Sequence, residues 1–463
     1  MKAQASSVLC ALMFAIVLSP ATSSASDADR IGKFEVGHKR VHLVLTGSVG
    51  ETRPIDVEIW YPTEKESFSN NPATVYRSRL WGVTLIPSKW DPLSWQITST
   101  LAREGAPFDA PGPNFPVVLF SHGAANSPLD YYPSLEHLAS HGYVVASPWH
   151  TRNNQDDTRT NFVNQQAGFN LLPCLDGRPN PCMGQTNQAI LKNRILDFNA
   201  TLQALPGLLG DRVNLGRVGV MGHSAGAMVA VLAAGGSGSL AINPIAGVAS
   251  VMTLSALSDA ALIGQANLAA VTLPMLVVAA EFDAQVSLAR PIQIYNGIST
   301  GEKAFIVLSN GVHRSFDAGY CHEMQAAGAA AQANPARALL DLHTLSGALI
   351  AGTSGSSLEY CSFEYFTDPT DIRPITQSLT GVAVTTSNVP ATGVSADEFA
   401  RAVGELAVTF FDTTLNANGN DGVHFTQYLA PKWLATHEPI IEHAEAQSDG
   451  KVCPEGLDIE CED

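Results

Sequence analysis

Three side chains of the kinds that carry out acyl transfer occur in the order serine, aspartate, histidine: Ser224, Asp283 and His313. Gly222-His223-Ser224-Ala225-Gly226 fits the pattern Gly-x-Ser-x-Gly. Such a segment forms a sharp strand-to-helix turn that presents a serine hydroxyl, and only glycine-sized neighbours let the chain pass so closely. The bare pattern is short enough to arise by chance, so its context decides. Here it follows the apolar run 218–221 and precedes the helix-forming Ala/Val stretch 227–233.

A serine hydroxyl is a weak nucleophile at neutral pH. It needs a general base within hydrogen-bond reach and a third group that fixes the base's tautomer. The apolar strand 276–280 is followed by Glu281-Phe282-Asp283, and the strand 304–308 by Ser309-Asn310-Gly311-Val312-His313. Both partners therefore sit on loops that leave the C-terminal ends of buried strands, in the order such a site requires. Asp283 is preferred to Glu281 as the acid because it lies farther into its loop, where it can turn toward the base. Among His313, His322, His343, His424, His437 and His443, only His313 follows a buried strand through a glycine-containing turn. A histidine base works when neutral, so the rate should climb across about pH 6–7, where histidines ordinarily titrate.

Acyl transfer also needs donors aimed where negative charge develops. The backbone N–H of Ala225, next to the nucleophile, is one candidate. The second lies in the turn Ser121-His122-Gly123-Ala124, with the Ala124 N–H preferred and His122 stabilising the turn. His150, at the end of another strand, reads as a packing residue or one at the pocket mouth.

The elements that must hold these loops are legible as alternating strands and helices. Two β-rich pieces, 41–45 and 55–60, read as antiparallel opening strands, and Pro116-Val117-Val118-Leu119-Phe120 as a strand buried on both faces. A helix over 135–139 stops at Gly142 before the strand 143–146; a helix over about 187–205, the strand 218–221, the helix 227–233 and strands at 245–252, 276–280 and 304–308 follow. A last amphipathic helix spans 399–415. This alternation predicts an α/β fold with a mostly parallel central sheet and helices on both faces. Three insertions, 63–112, 151–184 and 314–395, interrupt a domain expected over 31–440, and 441–463 reads as an acidic, cysteine-containing tail. The alanine-rich stretch 324–349 reads as a helix that either caps the site or packs on the domain's outside.

Apolar residues make up 45% of the 463 and charged residues 15%, a balance that favours a folded globular chain over long disorder. The net charge of −17 argues against nucleic acid or an anionic membrane as partner. Lys2, an apolar stretch over 8–18 and the small residues ending at Ala25 read as a secretory signal peptide cleaved near Ala25, with a secreted or periplasmic product and no stable membrane insertion. Six of the seven cysteines lie beyond it: Cys174, Cys182, Cys321, Cys361, Cys453 and Cys461. In an exported chain they are expected in disulfides, with pairing between sequence neighbours the working assignment; their spacing suits no metal site.

The chain resembles bacterial relatives of platelet-activating-factor acetylhydrolase and the dienelactone-hydrolase-like members of the α/β-hydrolase superfamily. The resemblance is carried by the segment 53–62, Phe120-Ser121-His122-Gly123, His141-Gly142-Tyr143-Val144-Val145, the serine turn, and Phe410-Phe411-Asp412. The insertions 151–184 and 314–395 have no counterpart in that pattern. The resemblance implies the α/β-hydrolase fold and hydrolysis of small or polymeric carboxylic esters, without cofactor or metal, through an acyl-enzyme on Ser224. The alternatives are a polyester or cutin-type depolymerase, a lipase, an amidase, and a non-catalytic binding protein on the same scaffold. Nothing in the sequence selects an oligomeric state.

Overall fold

A computed structural model of the protein describes residues 31–77, 96–154, 187–256, 263–322, 396–415, 441–448 and 451–452, apart from residues 49, 113, 125, 152, 284 and 285. The signal segment, the 324–349 stretch, every cysteine except Cys321, and His343, His424 and His437 lie outside the described residues.

The strands are β1 (Glu35–Thr46), β2 (Thr52–Thr63), β3 (Ala73–Arg77), β4 (Gln96–Glu104), β5 (Phe115–Ser121), β6 (Val144–Pro148), β7 (Val213–His223), β8 (Val248–Leu254), β9 (Met275–Ala280), β10 (Lys303–Leu308), β11 (Ile441–Ser448) and β12 (Lys451–Val452). The helices are α1 (Lys65–Ser69), α2 (Tyr132–Ser140), α3 (Asn187–Leu209), α4 (Ala225–Gly235), α5 (Gln265–Ala269), α6 (Ala289–Gly297) and α7 (Ala396–Thr414). One sheet joins all the strands in the order β12-β11-β10-β9-β8-β7-β5-β6-β2-β1-β4-β3. From β5 to β10 every pairing is parallel, while β1 and β2 pair antiparallel over their whole length. This is the α/β-hydrolase fold.

The central strands are continuous apolar runs because both of their faces are covered. In β5, Val118 and Phe120 enter one core with Leu135 and Leu138 of α2 and Phe399, Val403, Leu406 and Phe410 of α7. Val117 and Leu119, pointing the other way, enter a second core with Leu191, Ile195 and Phe198 of α3, the α4 stretch 227–233, and Ile294 of α6. Each such apolar side chain contributes roughly 1.5–3 kcal/mol by leaving water.

The parallel register places the chemistry. Ser121 pairs with Gly222, Gly222 with Thr253, His223 with Leu254, and Leu308 with Ala280. The C-terminal ends of β5, β7, β8, β9 and β10 therefore form one edge, and the loops that follow leave the sheet side by side.

Two expectations need correction. The excursion expected over 63–112 contributes β3 and β4 to the sheet, β4 lying parallel to β1 through Val36 and Ala102. The tail expected to begin at 441 opens with β11, which pairs antiparallel with β10. Both additions extend the two ends of the sheet through backbone pairing, and neither left a clear periodic signal in the sequence. In the 151–184 segment, Asn153 and Asn154 return to the core region, and in the 314–395 segment, residues up to 322 pack beneath the site. Cys321 is buried. Among the described residues no helix is long and apolar enough to cross a membrane, and no three His, Cys, Asp or Glu side chains group as metal ligands.

Candidate active site

The serine turn is as tight as its glycines imply. A Cβ at position 222 would stand 2.2 Å from the Gly226 carbonyl oxygen, and one at 226 would stand 1.9 Å from the Ser121 carbonyl oxygen. Between them Ser224 adopts φ 56° and ψ −118°, a backbone region that costs a non-glycine residue about 1–3 kcal/mol. Its N–H donates to the Leu254 carbonyl at 2.9 Å, which pins the turn to the end of β8. Helix α4 begins at once with Ala225, so the first N–H groups of the helix, which have no intrahelical acceptor, surround the serine.

Asp283 and His313, expected as acid and base, are in contact. The His313 Nδ1–H donates to Asp283 Oδ2 at 2.7 Å, and the Val286 N–H donates to Asp283 Oδ1 at 2.7 Å. Both carboxylate oxygens are thereby occupied, and the imidazole is held in the tautomer that leaves Nε2 available as a base. The His313 ring lies 4.5 Å, centroid to centroid, from the ring of His223, the residue before Ser224. Glu281 accepts instead from the Asn310 N–H at 2.8 Å, so it braces the turn that carries the base. That turn bends through Asn310 at φ 57°. Of the other candidate histidines, His322 joins Tyr132 and Asp397, and His443 lies in β11.

The turn after β5 is built on a buried polar network. The Gly123 N–H donates to the Tyr131 hydroxyl oxygen at 3.2 Å, and the Tyr131 O–H donates to His223 Nδ1 at 2.7 Å. The His122 Nδ1–H donates to the Gly123 carbonyl at 2.7 Å, and the His150 N–H donates to His122 Nε2 at 3.3 Å. Both nitrogens of His122 are therefore used within the turn, in keeping with the stabilising role expected for it. Burial, then the charge of Arg194 and the nearby His150, drive the His122 imidazole far below its ordinary range, so it stays neutral. Ala124 follows at the exposed end of the turn.

Behind the turn, Ser121, His150 and Asp197 form a second serine–histidine–aspartate relay. The Ser121 O–H donates to His150 Nε2 at 2.9 Å, and the His150 Nδ1–H donates to Asp197 Oδ2 at 2.8 Å. All three are fully buried, which closes this relay to substrate. His150 is thus a packing residue. Burial together with the charges of Arg194 and Arg53 keeps it neutral. Arg53 binds both oxygens of Asp197, at 2.8 and 3.1 Å. Burial raises the Asp197 carboxyl, against the pull of that guanidinium.

Arg194, Asn153, Tyr131 and His223 were not among the sequence candidates. Arg194, Asp197 and Thr201 form a buried polar stripe on α3, recurring every three or four residues. That stripe was the one available sign that the helix does more than pack.

Residues 29–170 match the family described as platelet-activating factor acetylhydrolase, isoform II. The match takes in β1 to β6 and the turn 121–124 and stops short of Ser224. No curated protein matches the chain. Among solved structures, a ferulic acid esterase from Streptomyces cinnamoneus is similar at 20% identity with a TM-score of 0.48, covering 86% of this chain and 93% of that one.

Proposed function

We propose that the protein is a carboxylic ester hydrolase working through an acyl-enzyme on Ser224. The observation that carries this reading is the 2.7 Å contact between Asp283 and His313, with the His313 ring packed at a 42° tilt against the ring of the residue that precedes a serine in strained backbone geometry. The family match over 29–170 supports the same chemistry.

In this mechanism the Ser224 hydroxyl attacks the ester carbonyl while its proton passes to His313 Nε2. The imidazolium is held by the Asp283 carboxylate and returns the proton to the departing alcohol. Water then adds to the acyl group with His313 again taking a proton, which passes to Ser224 Oγ as the bond to the acyl carbon breaks and the acid leaves. The oxyanion formed in each step is received by the N–H groups of Ala225 and Ala124, each worth about 3–4 kcal/mol where such donors have been removed. A net charge of −17 disfavours strongly anionic esters. Export after cleavage near Ala25, with Cys321 in a disulfide, belongs to the same reading and is supported by the apolar run at 8–18.

Hydrolysis of p-nitrophenyl esters of graded acyl length tests the proposal. The wild-type protein is expected to turn over at least the short-chain esters, and Ser224→Ala to lose at least about a thousandfold in kcat while keeping its melting temperature. Equal rates for the two proteins would dismiss it.

A further inference from the structure

The turn that supplies an oxyanion donor is gripped from behind by one guanidinium. From α3, Arg194 Nη1 donates to the His122 carbonyl and, at 3.0 Å, to the Ser121 hydroxyl oxygen. Its Nη2 donates to the Gly123 carbonyl at 3.1 Å and to Asn153 Oδ1, and its Nε donates to Asn153 Oδ1 at 3.0 Å. The side chain is among the largest fully buried ones in the protein.

Peptide planarity turns this grip into a direction. In a trans peptide the C=O and the following N–H point opposite ways. The first peptide is fixed at both ends: the His122 carbonyl is on Arg194, and the Gly123 N–H is on the Tyr131 hydroxyl. In the second, the Gly123 carbonyl is held by Arg194 and by the His122 imidazole, so the Ala124 N–H must point away from the network, toward the exposed side of the turn. We infer that Arg194 is a positioning residue for ester hydrolysis, fixing through the His122 and Gly123 carbonyls the direction in which Ala124 offers its N–H to the oxyanion.

This rests on the ester-hydrolase reading above and adds to it a residue that touches neither substrate nor triad. The rest of the network serves the grip. The Ser121–His150–Asp197 relay presents the Ser121 oxygen as an acceptor to Nη1, and Asn153 orients the opposite edge of the guanidinium. A lysine cannot replace this planar fork, because a single ammonium cannot span two carbonyls, a hydroxyl and an amide in one plane.

The test is Arg194→Lys assayed on p-nitrophenyl butyrate, alongside the affinity of an alkyl trifluoromethyl ketone. That ketone accepts Ser224 Oγ at its carbonyl carbon, passes the serine proton to His313 and leaves a negatively charged oxygen in the donor site. The expected result is a fall of about 10- to 100-fold in kcat with KM changed less than about threefold, and ketone affinity falling by the same factor as kcat/KM. Looser packing without a role for the donor would instead raise KM or lower the melting temperature while leaving ketone affinity in step with substrate binding, and that result overturns the inference. Should Arg194→Lys fail to fold, Asn153→Leu, at a half-buried position, frees one edge of the guanidinium and is expected to lower kcat and ketone affinity together; no change in either overturns it. An inactive Ser224→Ala beside a fully active Arg194→Lys would dismiss this inference alone, whereas a fully active Ser224→Ala would dismiss the ester-hydrolase reading itself.

Discussion

Ser224 spends about 1–3 kcal/mol on a backbone conformation that few serines adopt, and its neighbours make that conformation compulsory. Gly226 is the sharpest case. With only 1.9 Å between its would-be Cβ and the Ser121 carbonyl oxygen, and 2.8 Å to that of His122, any side chain pushes α4 away from the turn that bears Ala124. Gly226→Ala is therefore expected to lose at least about 100-fold in kcat/KM and to lower the melting temperature, since forcing a methyl into close-packed backbone costs about 1–3 kcal/mol or more. Wild-type kinetics with an unchanged melt would contradict the steric account. At this scale the contact between Asp283 and His313 was legible because each follows an apolar strand in its loop, and Asp283 rather than Glu281 reaches His313. Arg194 was not legible. Its partners lie 41 to 73 residues away along the chain, and apart from the polar spacing it shares with Asp197 and Thr201 nothing local distinguishes a buried arginine that grips carbonyls from one that faces solvent.

Among the elements, the outer strands β1, β2 and β4 are joined by a charge cluster, buried at His38 and Glu58 and open to solvent at Glu104, rather than by apolar contact alone. His38 contacts Glu58 at 2.9 Å and Glu104 at 2.8 Å; Glu58 also accepts from Arg40 at 2.5 Å and from the Trp149 indole at 2.9 Å. Burial by itself would lower His38, but Glu104 and Glu58 outweigh it and raise the imidazole from 6.5 to about 9. For Glu58, burial would raise the carboxyl, and Arg40 and His38 reverse this and hold it near about 2. A raised histidine stabilises the fold fully below its unfolded value and loses that contribution as pH climbs through its folded value. A lowered carboxylate does the opposite, losing its contribution as pH falls through its folded value. The cluster thus supports the fold best between about pH 4.5 and 6.5 and weakens toward pH 9. Glu136 and Asp317, both raised by burial to about 7, act over a lower range: ionising them in the fold is costly, so they reduce stability between about pH 4 and 7 and add little to the decline above it. Urea melts of wild type should show stability dropping between pH 6.5 and 9, and His38→Gln should be less stable at pH 6 by on the order of 2 kcal/mol with a flatter dependence above it. Equal slopes for the two proteins would show that His38 does not titrate there. The sequence allowed β1 and β2 to be read from their alternation, but β3, β4 and β11 lie toward the two ends of the sheet and carry no comparable pattern.

The whole molecule converts five parallel strand ends into one working edge. A parallel sheet of apolar strands was predictable from alternating strand and helix runs, and the chemistry followed because residues after the C-terminal ends of β5, β7, β9 and β10 must then be neighbours. The sequence pattern could not reveal how the far-separated β5 turn and α3 interlock, since that depends on polar contacts made only after the sheet has formed. On the proposed function this edge makes Ser224, and no other serine, a nucleophile; the buried relay at Ser121 supplies an internal rival with the same three side-chain types. Reaction with a fluorophosphonate followed by peptide mass mapping separates them most directly. One adduct is expected, on the peptide that holds Ser224, forming at a rate that collapses in His313→Ala. An adduct on another residue, or equal labelling of Ser224→Ala, would contradict the account.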